Sequence, residues 1–298
     1  MTIAPETPTT TTPLIPGALE LEITRRCQLT CAAHCYAEAG PTQGHGTMTG
    51  DDWKRVISEA AALGVKKVQL IGGEPTLHPA FAELVEHALS LGLRVQVYSN
   101  LYRVRPEHWD LFTRPGITLA TSYYADTDEG HDTVTGRTGS HAATRANLIE
   151  AHQRGIRVQV GIVDVLDGQR VDQARAELEA LGITDVHTDR VRGVGNAITG
   201  SGLPSTSALC GRCAHGIAAI LSDGTVTPCV LGRFLPAGQV QDTALKHVFT
   251  SPQWQQVAAS IPAGRLDPCG PDCGPNDDSQ GGGGTCNPAD GATPSPAN

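Results

Sequence analysis

Six short segments of this chain alternate apolar and polar residues as strands do, and segments with helical spacing separate them. The strand candidates are "LELEIT" (19–24), "KVQLIGG" (67–73), "RVQVYSN" (94–100), "ITLATS" (117–122), "RVQVGIV" (157–163) and the less regular "ITDVHTD" (183–189). Helical spacing runs through 50–64, 79–92, 106–114, 140–155 and 171–182, and several of these segments close on Gly, the residue that stops helices most readily. Regular strand–helix alternation demands a parallel sheet, because parallel neighbours need a crossover between them. The expectation is an α/β protein: a partial (βα)6 TIM-type barrel, open rather than closed, with a small cysteine-rich C-terminal domain. Functional loops then belong at the C-terminal ends of the strands.

A chain of 298 residues can bury a sizeable core and has room for one large unit and one small one. Its net charge of −9, with 22 Lys plus Arg and no basic run, argues against a nucleic-acid backbone as the main ligand. No apolar run approaches the roughly 20 residues that span a bilayer, so no membrane partner is expected. The N-terminal "MTIAPETPTTTTPLIPGA" has neither a charged nor an apolar signal region and reads as a flexible leader on a cytoplasmic protein.

Nine cysteines without a secretory signal point to metal or redox chemistry rather than to disulfides. Cys27, Cys31 and Cys35 follow the first strand directly, none occurs from 36 to 209, and Cys210, Cys213, Cys229, Cys269, Cys273 and Cys286 lie near the C-terminus. Three thiolates are one short of the four that close a structural zinc site or saturate a cubane cluster. Either a neighbour such as His34 completes a zinc site, or one iron of a cluster stays open to an exogenous ligand. The loops after the next strands carry "GGEPTLHP" (72–79), "YSNL" (98–101) and "TSYYAD" (121–126), so four informative loops converge on one rim.

Here the sequence resembles the radical S-adenosylmethionine (SAM) enzymes. The family spacing is three residues and then two, ending in an aromatic. This chain has three and three, with the extra residue placed within Ala32-Ala33, and ends in "HCY". The resemblance implies a 4Fe-4S cluster on Cys27, Cys31 and Cys35 whose unique iron chelates SAM, and reductive cleavage of SAM to a 5′-deoxyadenosyl radical. It further implies that Tyr36 and the segment Gly72, Gly73, Glu74 and Pro75 meet SAM, with Glu74 accepting from its ammonium group. Ser99, Asn100 and Ser122 would contact the ribose and methionine parts, and Arg137 the carboxylate. "DRVRGVGNA" (189–197) resembles the family's late adenosine loop.

"CAHGIAAILSDGTVTPC" (213–229) looks like the opening of a SPASM or twitch domain, with Asp223-Gly224 suited to a hairpin turn that brings two thiols together. One or two auxiliary iron–sulfur clusters are implied, with the C-terminal cysteines as ligands. The expected organisation is a leader over 1–17, a radical SAM core over 18–204, the iron–sulfur unit over 205–287 and a tail over 288–298. The run "SYYADTDEGHDTVTGRTGSHAATRANL" is similar to that of peptide maturases. The leading expectation is therefore modification of a ribosomally made peptide, by crosslinking or epimerisation. A flavodoxin- or ferredoxin-type electron donor and a separate peptide-recognition protein would be its partners. Oxidation, dehydration or epimerisation of a sugar or aminocyclitol is a second reading, and a zinc-binding protein without catalysis a third. His78 and His131 are expected as loop or helix-start residues, and Tyr123 and Tyr124 as rim packing or cavity lining.

Overall fold

The computed structural model describes residues 14–31, 33–198, 202–209 and 213–262; the expectations at Ala32, Cys210, Cys269, Cys273 and Cys286 lie outside them. Among the described residues nine strands form one sheet. They are β1 (Ala18–Thr24), β2 (Lys67–Gly72), β3 (Arg94–Tyr98), β4 (Ile117–Tyr123), β5 (Val158–Asp164), β6 (Val186–Arg190), β7 (Ile217–Ile220), β8 (Thr225–Thr227) and β9 (Gly238–Gln239). Their order is β6-β5-β4-β3-β2-β1-β7-β8-β9, with every pair from β6 to β1 parallel. The six-stranded parallel barrel segment is thus present. β7 extends it by pairing in parallel with β1, and β8 and β9 follow antiparallel.

The crossovers are α1 (Gly50–Ala62), α2 (Phe81–Ser90), α3 (Pro106–Phe112), α4 (Asp128–Thr135), α5 (Ser140–Gln153) and α6 (Val171–Ala180); α7 (Leu245–Phe249) and α8 (Pro252–Ser260) end the described chain. α1 begins at a capping box, Thr49 accepting from the Asp52 backbone and Asp52 accepting from that of Thr49. Trp53, Val56, Ile57 and Ala60 of α1 then join Phe81, Leu84, Val85 and Ala88 of α2 in the main core. α4 lies in the connection expected to hold one helix. Its only large apolar residue is Val134, so it has no hydrophobic periodicity; the Thr127 N-cap and the left-handed Gly136 at its end define it instead. Among the described residues no helix is long and apolar enough to cross a membrane.

The alternation along the strands has a specific cause. Leu19, Leu21 and Ile23 join the apolar core, while Glu20, Glu22 and Thr24, on the opposite face, are equally buried. Gln69 and Gln96 continue the polar row: Gln69 Nε2 donates to Gln96 Oε1 (3.1 Å), and Gln96 Nε2 to Gln159 Oε1 (2.5 Å). The two carboxylates on β1 receive the C-terminal unit: Val230 N donates to Glu20 Oε2 (2.7 Å) and Arg233 to Glu22 Oε2 (2.9 Å).

Candidate active site

The chain leaves β1 at its C-terminal end and enters the cysteine loop. The loop is pinned at its base by Cys27 N to Gly40 O (3.1 Å), and across the rim by Thr30 N to Thr135 O at the end of α4 (3.0 Å). Cys27, Cys31 and Cys35 line one cavity, with Tyr36, Gly72, Gly73, Asn100 and Ser122 also in its wall. Cys27 Sγ accepts from Leu29 N (3.4 Å) and Asn100 Nδ2 (3.5 Å), and Cys35 Sγ from Ala39 N (3.4 Å). Burial pushes the Cys27 thiol up to about 12 and raises Cys31 and Cys35 as well. All three are therefore protonated at neutral pH without metal, and a metal centre must displace those protons. Among the described residues no three His, Cys, Asp or Glu side chains stand at the spacing of a single ion's ligands. Thiolates of a multi-iron cluster each hold a different iron.

The glycine pair meets the cysteine loop before it meets any ligand. A Cβ on Gly73 would lie 2.5 Å from the Arg26 carbonyl oxygen. That space is taken by Gly73 N donating to Thr24 O (2.8 Å) and Glu74 N to Arg26 O (2.9 Å). Glu74, expected to reach the SAM ammonium, is only 1 % exposed, and both its carboxylate oxygens are engaged by the protein. Oε1 accepts from Thr76 N (3.2 Å) and Oγ1 (2.6 Å), Oε2 from Ser99 Oγ (3.1 Å) and Asn100 N (2.9 Å). Glu74 thus buckles the β2 loop to the β3 loop, with Ser99 behind it and Pro75 opening a short 3-10 turn. Asn100 faces the cavity. Arg137 is exposed, stacked over the Tyr102 ring at 5.3 Å and donating to the Tyr102 hydroxyl (3.2 Å), and it is absent from the cavity wall.

β4 separates the two tyrosines by strand parity. Ser122 and Tyr124 line the cavity, Ser122 Oγ meeting Tyr98 Oη (3.0 Å) and Tyr124 Oη meeting His34 Nε2 (2.9 Å). Tyr123 points the other way, its hydroxyl joined to His141 Nε2 (2.7 Å) and Glu177 Oε2 (2.8 Å). His34, considered as a fourth zinc ligand, spends Nε2 on Tyr124, and burial lowers its pKa to about 4. His78 accepts from Ala80 N (3.1 Å) at a helix start, as expected.

His131 lies in the first turn of α4, a helix start as expected, but it is also 2 % exposed and in the cavity wall. Ser140 Oγ donates to Asp132 Oδ1 (2.9 Å) and so accepts from His131 Nδ1 (3.1 Å), which leaves Nε2 as a bare acceptor with no partner among the described residues. Burial and the neighbouring His141 hold its pKa down at about 3. From β6, Asp189 adds a second buried acceptor, since Oδ1 takes Arg192 (2.7 Å) while Oδ2 has no partner among the described residues. A helix or strand read without its neighbours gives no sign of these roles.

Two closures complete the site. Gly195, at φ +60°, packs where a Cβ would lie 2.4 Å from the Tyr36 carbonyl oxygen, and Asn196 N donates to Cys35 O (3.0 Å). The late loop 189–197 therefore locks onto the cysteine loop. On the other side, the β7–β8 hairpin turns at Asp223-Gly224 as expected and brings Cys213 Sγ within 2.7 Å of Cys229 Sγ, both buried. Leu231, two residues beyond Cys229, reaches the cavity wall.

Comparison with known proteins agrees with this architecture. The profile of the Radical SAM superfamily matches residues 21–180, and that of the iron–sulfur cluster-binding domain SPASM matches 210–274. A PqqA peptide cyclase of Rhodopseudomonas palustris is 34 % identical over 129 residues, covering 43 % of this chain and 34 % of that protein. The sporulation killing factor maturation protein SkfB of Bacillus subtilis is 30 % identical over 148 residues, covering 50 % and 36 %. The matched segments thus span about a third of the length of these relatives. In fold, the chain is similar to Streptococcus suis SuiB bound to its precursor peptide SuiA, with a TM-score of 0.60 at 16 % identity, covering 82 % of this chain and 67 % of that one. Its cysteine loop, parallel barrel segment and matched profiles make the chain a member of the radical SAM superfamily, with a SPASM-type unit after the barrel.

Proposed function

We propose that this protein is a radical SAM maturase that modifies a ribosomally made peptide, and that Cys27, Cys31 and Cys35 hold its SAM-cleaving 4Fe-4S cluster. The observation that carries the proposal is the shared cavity. Three thiols open into it beside Gly72, Gly73, Asn100 and Ser122, and Leu231 brings the C-terminal cysteine unit to the same wall. The donor set fits such a cluster: three sulfurs, no fourth protein thiolate among the described cavity residues, and backbone N–H groups aimed at two of the sulfurs. When bound, the cluster supplies the electron that cleaves SAM and yields the 5′-deoxyadenosyl radical.

The chain's own residues do the rest. Glu74, Ser99 and Pro75 fix the glycine loop, and its backbone, with Asn100, Ser122 and Tyr36 of the cavity wall, would hold SAM. His131 and Asp189 offer acceptors to bound ligands from the same cavity wall. Arg137 keeps the α4 end shaped rather than touching SAM. Cys213 and Cys229 hold auxiliary iron–sulfur chemistry, with the remaining C-terminal cysteines, which lie outside the described residues, as further ligands. The names of the relatives, a PqqA peptide cyclase and a sporulation killing factor maturation protein, support a peptide substrate, and the cyclase supports a crosslink. An external flavodoxin- or ferredoxin-type donor, a peptide-recognition partner and a cytoplasmic site of action belong to the same proposal.

The test has two stages. Anaerobically reconstituted protein with dithionite and SAM is expected to form 5′-deoxyadenosine, and Cys27/Cys31/Cys35→Ala to form none. Incubation with a candidate precursor peptide should then change the peptide's mass, by loss of two hydrogens for a crosslink or, in deuterated solvent, by gain of one deuterium for epimerisation. An iron-loaded protein that neither cleaves SAM nor alters that peptide would overturn the reading.

A further inference from the structure

The side-chain amide of Asn100 is held in a single orientation. Its Oδ1 accepts from Tyr102 N (2.9 Å) and from Gln28 Nε2 (3.0 Å). Tyr102 N is a backbone donor with no acceptor role, so a rotated amide would set NH2 against N–H. Nδ2 therefore points at Cys27 Sγ, 3.5 Å away, where Asn100 joins the cavity wall. The backbone beneath the amide is equally fixed. Asn100 N donates to Glu74 Oε2 (2.9 Å), and the Asn100 carbonyl accepts from Thr144 Oγ1 of α5 (3.0 Å). Leu101, fully buried, takes a left-handed φ of +51°, and its carbonyl accepts from Asn147 Nδ2 of α5 (2.7 Å). A bulky residue keeps such a conformation only where its surroundings over-determine it. The cysteine loop, the β2 loop and α5 thus converge to aim one N–H at one sulfur.

We propose that Asn100 tunes the reduction potential of the centre held by Cys27, Cys31 and Cys35 through its Nδ2–H···Sγ bond to Cys27, with Gln28, Thr144 and Asn147 as the residues that position it. The inference rests on the reading above that these cysteines hold an iron–sulfur cluster. Hydrogen bonds to the ligand sulfurs are one of the protein's levers on cluster potential. Reduction adds negative charge to the cluster and its thiolates, and an N–H donor bonds a more negative sulfur more strongly. The Asn100 donor therefore favours the reduced form and moves the potential to a more positive value. Cys27 Sγ also accepts from Leu29 N (3.4 Å), but that donor is backbone and survives side-chain substitution. Among the described residues Asn100 supplies the one side-chain N–H that reaches a sulfur of this loop.

The experiment is an EPR-monitored measurement of midpoint potential on the anaerobically reconstituted full chain without SAM, following the signal that Cys27→Ala abolishes. Asn100→Asp keeps Oδ1 for Tyr102 N and Gln28 but sets a carboxylate oxygen against the sulfur, and the midpoint is expected to shift negatively. Asn100→Leu removes the donor at similar volume and adds no charge, so a smaller negative shift is expected; it also serves if the carboxylate blocks cluster assembly. Glu83→Gln, which removes one surface charge from the Lys54 pair, is expected to leave the midpoint unmoved. A merely structural role for Asn100 would reduce the amount of cluster held and leave the midpoint of the remainder at the wild-type value. That result in either assembled variant, or a positive shift, would overturn the proposal. A wild-type chain with no Cys27-dependent signal would instead overturn the cluster reading beneath it.

Discussion

Asn196 donates its backbone N–H to the carbonyl of Cys35 at 3.0 Å, and its side chain donates to the carbonyl of Cys31 at 3.2 Å. The last loop of the parallel barrel is thereby bonded to the first. An open six-stranded arc cannot close its own circle by strand pairing, and this contact does so at the level of the loops.

That closure depends on Gly195. Its φ of +60° is strained for any side chain, and the nearest atoms to an added Cβ are rigid backbone. Gly195→Ala is expected to cost more than ~1 kcal/mol. It should show as a lower melting temperature and less iron retained per chain after desalting.

Glu74→Gln tests whether the carboxylate works as a buckle. Four donors converge on its two oxygens, and an amide would set an NH2 against two of them. Leaving buried donors unmet costs about 1–3 kcal/mol. Urea denaturation of the metal-free chain should reveal that loss, and Arg137→Gln, by contrast, should leave SAM affinity within about twofold.

His131 makes stability depend on acid. Its folded pKa lies near 3, below the ordinary imidazole value, so the unfolded chain binds the proton more tightly. The sign follows: this contribution is complete above about pH 6.5 and is lost as pH falls, by up to ~1.4 kcal/mol per unit until the folded pKa is reached. Comparing the metal-free wild type with His131→Asn between pH 7 and 4 should give a flatter profile for the variant.

Metal loading should release protons. Burial keeps the Cys27 thiol protonated up to about pH 12, and Cys31 and Cys35 are raised too. Iron–sulfur reconstitution is expected to proceed further at pH 9 than at pH 7, with proton release seen by an indicator dye in weak buffer. A Cys27/Cys31/Cys35→Ala chain should lose the part of that release due to this loop.

The cysteine spacing, the glycine pair and the strand periodicity are local properties, and residues within one element or loop suffice to express them. The sequence alone therefore determined the parallel barrel segment, the cysteine loop at its mouth and the hairpin that joins Cys213 to Cys229. What needed the tertiary structure was every role set by contacts between separate elements or loops. Ser122 and Tyr124 share a face while Tyr123 does not, but only the packing of α4 and α5 shows which face is the cavity. Glu74 reads as a ligand-binding carboxylate until the β3 loop supplies two of its four donors. His131 becomes a cavity acceptor because Ser140 and Asp132, nine residues away or fewer, fix its tautomer after α4 folds. Arg233 and Glu22 meet across 211 residues, because β7 pairs beside β1 and brings the C-terminal turn to the barrel. Buried charges and hydrogen bonds are satisfied by whatever the fold brings near, and sequence separation carries no record of that proximity.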